Sequence, residues 1–348
     1  MRGKMKLKEY IDKDKTYIIA EMSANHAGDK NRAIEIIHAA KEAGADCIKI
    51  QTYTPDTLTI DCDNQFFHID DGTWKGDTLY NLYKKAYTPW EWQEDLKKEA
   101  DSIGIDFLST PFDKSSVDFL ENLKVEFYKI ASFELVDIPL IEYVASKKKP
   151  IILSTGMGSV EEIQEAVDTI RKYHNDIVLL KCSSSYPAIM SQMNLKTMVD
   201  MKERFRCPIG ISDHSMGVAT AIVAVSLGAK VVEKHFCISR DIENPDSSFS
   251  MERKEFLNMA KEIRNAEKAL GKIEYGVTSE ERSSVIFRKS IFAVKDIAEG
   301  EKITDENIRV IRPGYGLKPK YYNEILGKTA ARDIQRGYPI EFEVLKEG

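Results

Sequence analysis

Long apolar runs are what this chain of 348 residues most plainly lacks. No stretch approaches the roughly 20 residues that cross a bilayer, and the charged start MRGKMKLKEYIDKDK leads into no signal-peptide core. A soluble, cytoplasmic protein is the expectation. Excess positive charge is missing too: 50 Lys and Arg stand against 56 Asp and Glu, for a formal net charge of -6. Without a basic footprint, nucleic acid is not expected as the main partner. Cysteine is sparse as well, and Cys47, Cys62, Cys182, Cys207 and Cys237 are scattered, odd in number and form no C-x-x-C pair. That speaks for reduced, mostly buried thiols rather than a disulfide framework.

What the chain does have is a recurrence of short β-like runs with helical patterns between them. They are YIIAE (17–21), CIKIQ (47–51), DFLST (106–110), FYKIAS (127–132), IILSTG (151–156), IVLLKCS (177–183), IGISDH (209–214) and VVEKHF (231–236). Eight strands, each followed by a helix, give an α/β fold of the (β/α)8 TIM barrel type over residues 1–271. NRAIEIIHAAKEAG closes on Gly44, and SVEEIQEAVDTIRKY opens with the S-x-x-E form of a capping box. Residues 54–77, rich in Thr, Asp and Gly, are expected to form an extended loop over the strand C-termini. Past residue 271 the pattern changes. Residues 272–285 suggest a linker, and 286–348 a small β-rich domain with an internal echo, DIAEGEKI at 296–303 and DIQRGYPI at 333–340. So small a domain should lean on a barrel, its own or a partner's.

The stretch from Ile209 to Phe236 organises the rest: two strands, each closed by a histidine, flank one helix. His214 and His235 should therefore emerge at one rim of a parallel sheet. Each taken alone reads as a strand cap or a carbonyl partner, but two at neighbouring strand ends, beside Asp213 and Glu233, favour a metal pair. Cys237, two residues beyond His235, is a further candidate thiolate for zinc. Barrel sites form at the C-terminal strand ends, which here carry Glu21, Lys49, Gln51, Ser109, Thr110, Lys129, Ser132, Ser154, Thr155, Lys181, Ser184 and Tyr186. Ile48 and Ile50 flank Lys49, so alternation turns the lysine toward the axis, and Lys129 follows the same argument. Two inward lysines with hydroxyls nearby suit a small, strongly anionic substrate such as a phosphorylated acid. The alternatives are ion pairs with Glu21 and Glu233 or Schiff-base chemistry. Glu21 reads equally as a general base, a hydroxyl-binding carboxylate or a structural partner of lysine. Tyr186-Pro187 reads as a turn or a pocket wall.

Taken together, IIAEMSANHAG, KIQTYTPDTLT, STPFD, YKIAS, STGM, SYP, GISDHS, EKHF, DSSFSM and RPGYGLKP resemble the sialic acid synthase family across nearly the whole chain. EMSANH, GTWKGDTLYNLYKKAYTPWEW and SFELVDIPLI are most similar to the branch whose acceptor is 2,4-diacetamido-2,4,6-trideoxy-L-altrose. Met22, Ser23, Ala24 and Ser247 depart from the pattern of enzymes acting on N-acetylmannosamine. The resemblance implies a barrel, a C-terminal antifreeze-like (SAF) domain and a domain-swapped homodimer. It implies metal-dependent condensation of phosphoenolpyruvate with the sugar, with release of phosphate by C–O cleavage. His214 and His235 match ligands of a divalent metal, Mn2+ first, with Mg2+ or Co2+ as alternatives. Lys49, Thr110, Lys129, Ser132 and Ser154 match the phosphoenolpyruvate pocket, and Glu21, Gln51, Tyr186 and Asp246 match residues near the sugar. Ser184 stands where relatives carry Asn or Thr, and Arg312 matches an arginine that reaches a partner's site. N-acetylneuraminate or legionaminic acid synthesis, a Schiff-base aldolase and a non-catalytic carbohydrate-binding protein are the rival expectations.

Overall fold

Alternation along the strands sorts apolar residues into two layers. The structure, a computed structural model, describes residues 7–346 and divides after Gly271 into two units. In the first, eight parallel strands run β1 (Tyr17–Glu21), β2 (Cys47–Thr52), β3 (Asp106–Pro111), β4 (Tyr128–Ile130), β5 (Ile151–Ser154), β6 (Ile177–Cys182), β7 (Ile209–Asp213) and β8 (Val231–Cys237). Their order, β3-β2-β1-β8-β7-β6-β5-β4, makes a nearly closed barrel. β3 lies against β4, with no ladder joining them among the described residues.

Ile18, Ala20, Ile48, Ile50, Leu179 and Ile211 face the helices, whereas Tyr17, Ile19, Leu108, Ile152, Val178 and Val231 fill the inside. Ile48 and Ile50 are fully buried, each contributing about 1.5–3 kcal/mol. A slip of one residue would lose both contributions, so the register that points Lys49 inward is strongly specified. The N-terminal helix Leu7–Asp12 sets Leu7 into the inner cluster, with Tyr10 and Ile11 packed against it.

Helices begin and end where side chains satisfy free backbone groups. Helix Lys30–Glu42 is capped by Asp29, which accepts from Asn31 and Arg32, and the chain then turns at Gly44, whose φ of 89° suits glycine. Helix Val160–Arg171 carries the expected capping box: Glu162 N donates to Ser159 Oγ at 3.2 Å and Ser159 N to Glu162 Oε2 at 2.7 Å. β4 and β5 stop earlier than the sequence pattern suggests. The chain leaves β4 for a 3-10 turn at Ser132–Glu134, and Gly156 N donates to Ser132 Oγ at 3.1 Å, tying the two strand ends together. The 54–77 stretch holds a helical turn, Pro55–Leu58, and a 3-10 turn, Gln65–Phe67. Trp74 Nε1 donates to Pro245 O at 2.8 Å, and the Thr73 hydroxyl to the Tyr186 carbonyl, anchoring this segment over the strand ends. Among the described residues no helix is long and apolar enough to cross a membrane.

In the second unit, residues 272–281 are exposed and form neither helix nor strand. Arg282–Phe287 is a 3-10 turn to which Gly314 N donates, at Ile286 O, 2.9 Å. Residues 282–285, read from the sequence as the end of a linker, form the first part of this turn. Strands Ser290–Ala293 and Ile308–Ile311 pair antiparallel. The echo folds onto itself: Ile297 and Ile334 exchange N–H···O bonds of 2.8 Å in both directions. Asp296 Oδ1 accepts from Arg336 N at 2.7 Å, and Asp333 Oδ1 from Glu299 N at 2.8 Å. Ile297, Ile303, Ile334 and Ile340 share one core.

Candidate active site

The inward face of β1, β2, β4 and β8 gathers two cations and two carboxylates at the C-terminal mouth of the barrel. Lys49 Nζ lies 2.8 Å from Glu21 Oε2 and 3.5 Å from Glu233 Oε1, and donates to Thr110 Oγ1 at 3.3 Å. Lys129 donates to Ser154 Oγ at 2.6 Å and to Ile130 O at 3.0 Å, with Glu233 Oε1 at 3.9 Å. The ion pairs and the lysine–hydroxyl contacts therefore coexist. Burial pushes the Glu21 carboxyl up, the attraction of Lys49 offsetting only part of it. Glu233 is held below the usual range because Lys129 and Lys49 outweigh its burial. Burial lowers Lys129, whereas Glu21 and Glu233 outweigh burial at Lys49 and raise it.

Beside this cluster stand His214 and His235, ring centroids 5.3 Å apart. His214 Nδ1 is 2.9 Å from the Ser183 carbonyl; against its burial, Cys182 and that carbonyl raise its pKa, and in the neutral ring donation from Nδ1 leaves Nε2 with its lone pair free. His235 is held well below the usual histidine range by burial, His214, Lys49 and Lys234, and so is neutral. Its Nδ1 is buried without a hydrogen-bond partner, with Asp246 Oδ2 at 3.9 Å. Among the described residues no three or more His, Cys, Asp or Glu side chains converge as a metal cage. The arrangement fits a cation for which the protein supplies two imidazoles and leaves other positions to water and substrate. Cys237 lies near Glu252, and burial and that carboxylate push its thiol up to about 12.

Toward the loops the cluster opens into a cavity of about 340 Å³, whose lining includes Ser23, Gln51, Glu134, Tyr186, His235 and Asp246. Gln51 Nε2 donates to Glu21 Oε1 at 3.0 Å and to Ser23 Oγ at 2.9 Å. Asp246 Oδ2 accepts from Ala24 N at 3.2 Å. The Tyr186 ring lies 4.3 Å from that of His214 and 5.4 Å from Trp74, making it a wall of the cavity. Ser132 and Ser184 crowd Gly156: a Cβ there would meet Ser184 Oγ at 2.4 Å and Ser132 Oγ at 2.7 Å. Of the expected site residues, Ser109 and Thr155 turn to the helix side, where they bond Ile50 O and Leu180 O, and Lys181 shares the outward face of Leu179; the others, Arg312 excepted, lie at this mouth. Arg312 belongs to the second unit, where it is exposed and makes no ion pair among the described residues.

Sequence reasoning missed two participants. Glu134 lines the cavity with its Oε2 buried and unpartnered, and burial lifts its carboxyl to about 7. Its signal was an acid inside the apolar run SFELV, just past a strand end. Gly156, in STGM, offers a position where any side chain would close the gap between two serines.

The NeuB family model matches residues 36–275, which is most of the chain. The chain belongs to the NeuB family. The SAF domain model matches residues 288–345. Among curated members of the NeuB family, pseudaminic acid synthase of Campylobacter jejuni is 44% identical over 345 residues, covering 99% of each chain. N,N'-diacetyllegionaminic acid synthase of Legionella pneumophila is 36% identical, covering 94% of each. The crystal structure of N-acetylneuraminic acid synthetase from Leptospira borgpetersenii superposes with a TM-score of 0.69 at 32% identity, over 78% of this chain and 90% of that one.

Proposed function

We propose that this NeuB member condenses phosphoenolpyruvate with the open-chain form of 2,4-diacetamido-2,4,6-trideoxy-L-altrose, adds water and releases phosphate, and so makes pseudaminic acid. Identity to pseudaminic acid synthase from end to end supports the sugar. The observation that carries the chemistry is the buried pair Lys49 and Lys129 among the hydroxyls of Thr110, Ser132 and Ser154.

Carbon C3 of the enol attacks the acceptor's aldehyde carbon, and the aldehyde oxygen takes up a proton to become a hydroxyl. Water adds to the electron-poor C2, giving up one proton that balances the one taken by the aldehyde oxygen, and the new hydroxyl passes its second proton to the departing phosphate as the C2–O bond to phosphate breaks, leaving a ketone. Lys49 and Lys129 hold the phosphate and carboxylate. Glu21, its carboxyl raised, orients the water or takes its proton. Gln51, Tyr186 and Asp246 position the sugar, and Ser184 narrows the pocket beside Gly156. Fixing two polyfunctional substrates in register is worth up to roughly 7–11 kcal/mol of barrier in favourable cases. His214 and His235 would hold a divalent cation, Mn2+ or in its place Mg2+ or Co2+, supplying Lewis-acid polarisation of the aldehyde oxygen. Two copies form a homodimer that exchanges the antifreeze-like domains, each sending Arg312 to the other's site; the exposed, unpaired state of Arg312 supports this role.

A second reading within the class is legionaminic or N-acetylneuraminic acid synthesis, favoured by identities of 36% and 32% to enzymes of those two kinds. A Schiff-base aldolase is favoured by Lys129 alone, because burial lowers it toward the neutral amine a nucleophile needs. The deciding measurement is phosphate release from phosphoenolpyruvate with a panel of acetamido sugars, followed by product mass. Turnover with the diacetamido-trideoxy sugar and its loss on chelation are expected. Borohydride trapping of a pyruvate–lysine adduct would overturn the reading.

A further inference from the structure

On the inward face of β7 and β8, Ser212 Oγ donates to Glu233 Oε1 at 2.9 Å. The opposite face of the same two strands carries a second link, between charged groups that the reaction above does not use. Ile211, Val232 and Phe236 turn outward into the layer under the helices, so alternation sends Asp213 and Lys234 the same way. There Lys234 Nζ donates to Asp213 Oδ2 at 2.7 Å, with 1% of the lysine side chain and 0% of the aspartate exposed. Asp213 and Lys234 are the last partners in the β7–β8 ladder, and each directly precedes one of the two imidazoles. Lys234 also donates to Ser215 O at 2.6 Å, while Asp213 Oδ1 accepts from Ser215 N at 2.8 Å and from Ser215 Oγ at 2.7 Å. His214 thus stands between two residues that are both tied to the neighbouring strand. Ser215 Oγ lies 2.8 Å from Thr220 Oγ1 in helix Ala219–Ser226, which fastens the turn to the outer layer.

As a source of stability such a pair is weak, because taking both charges out of water offsets most of their attraction. What it fixes is position. Metal–ligand distances tolerate only about 0.2 Å of error, and the β7–β8 ladder ends one residue before His214. Resting on the reading that His214 and His235 hold a divalent cation, we propose that Asp213 and Lys234 are positioning residues, whose buried ion pair on the helix side of the sheet sets the two imidazoles for the cation on the other side.

The test is Mn2+ binding to the full-length, metal-free protein without substrates, read from the EPR signal of free Mn2+, beside the thermal midpoint. Asp213→Asn combined with Lys234→Met removes both charges together, so neither is left buried alone and the midpoint should stay close to that of wild type. Its Kd for Mn2+ should rise about tenfold, the low end of what groups supporting metal ligands contribute. Asp213→Asn alone keeps the shape of the side chain and should weaken binding to a similar extent, which covers the case in which the double variant misfolds. Lys234→Arg keeps the pair and should bind Mn2+ with close to wild-type affinity. Wild-type affinity in a folded variant that lacks the pair, or a loss in Lys234→Arg as large as in the double variant, overturns the inference while the metal reading stands. No Mn2+ bound by wild type overturns the metal reading and the inference with it, and phosphate release by wild type then decides the synthase reading separately.

Discussion

Lys49, Lys129, Glu21 and Glu233 sum to zero charge in one buried cluster, yet phosphoenolpyruvate brings close to three negative charges. In a medium that screens poorly, that imbalance must be met by added positive charge. Under the proposed reading it comes from the cation on the imidazoles, from Arg312, or from a proton on Glu21. Glu134 adds a titration of its own. Its carboxyl rises from 4.5 to about 7 on folding, so the fold favours the protonated form. The stability it contributes is full below about 4.5 and is lost as pH rises through about 7. Glu134→Gln should therefore flatten the decline in unfolding midpoint between those values; parallel wild-type and variant curves, measured by thermal melts across that range, would count against it. Gly156→Ala makes the complementary test of shape. Its Cβ would intrude on Ser132 and Ser184, so KM for phosphoenolpyruvate should rise about tenfold or more, a loss of about 1.4 kcal/mol in binding, while the thermal midpoint stays close to wild type. A normal KM would place the phosphate elsewhere.

At the scale of elements, the capping box predicts a loss confined to stability. Ser159→Ala removes one acceptor at the head of helix Val160–Arg171 and should cost about 1 kcal/mol in urea unfolding without changing kcat. Such caps, like the inward turn of Lys49, were legible in the sequence because they follow from neighbours within four residues or from strict alternation. The eight strands were legible for the same reason. What escaped depends on distance. The bond from Trp74 to Pro245 spans 171 residues, and the Ser132–Gly156 tie arises only because two strands end early side by side. Glu134 escaped because a single acid in an apolar run gives no sign that its carboxylate is buried without a partner.

For the whole molecule, the proposed exchange of domains has a test that does not depend on seeing the dimer. A chain with Arg312→Ala and a chain with His235→Ala should each be nearly inactive. If each barrel uses the other copy's arginine, unfolding and refolding an equal mixture puts one intact site in each mixed dimer, restoring about a quarter of wild-type turnover. No recovery would mean that Arg312 serves its own barrel or none.

Within the second unit, Asp296 steadies a peptide of the later half and Asp333 one of the earlier half, so each copy of the repeat is incomplete by itself. Cutting away either half would strip the other of a carboxylate cap and of its share of the isoleucine core, so the small domain stands or falls as one piece.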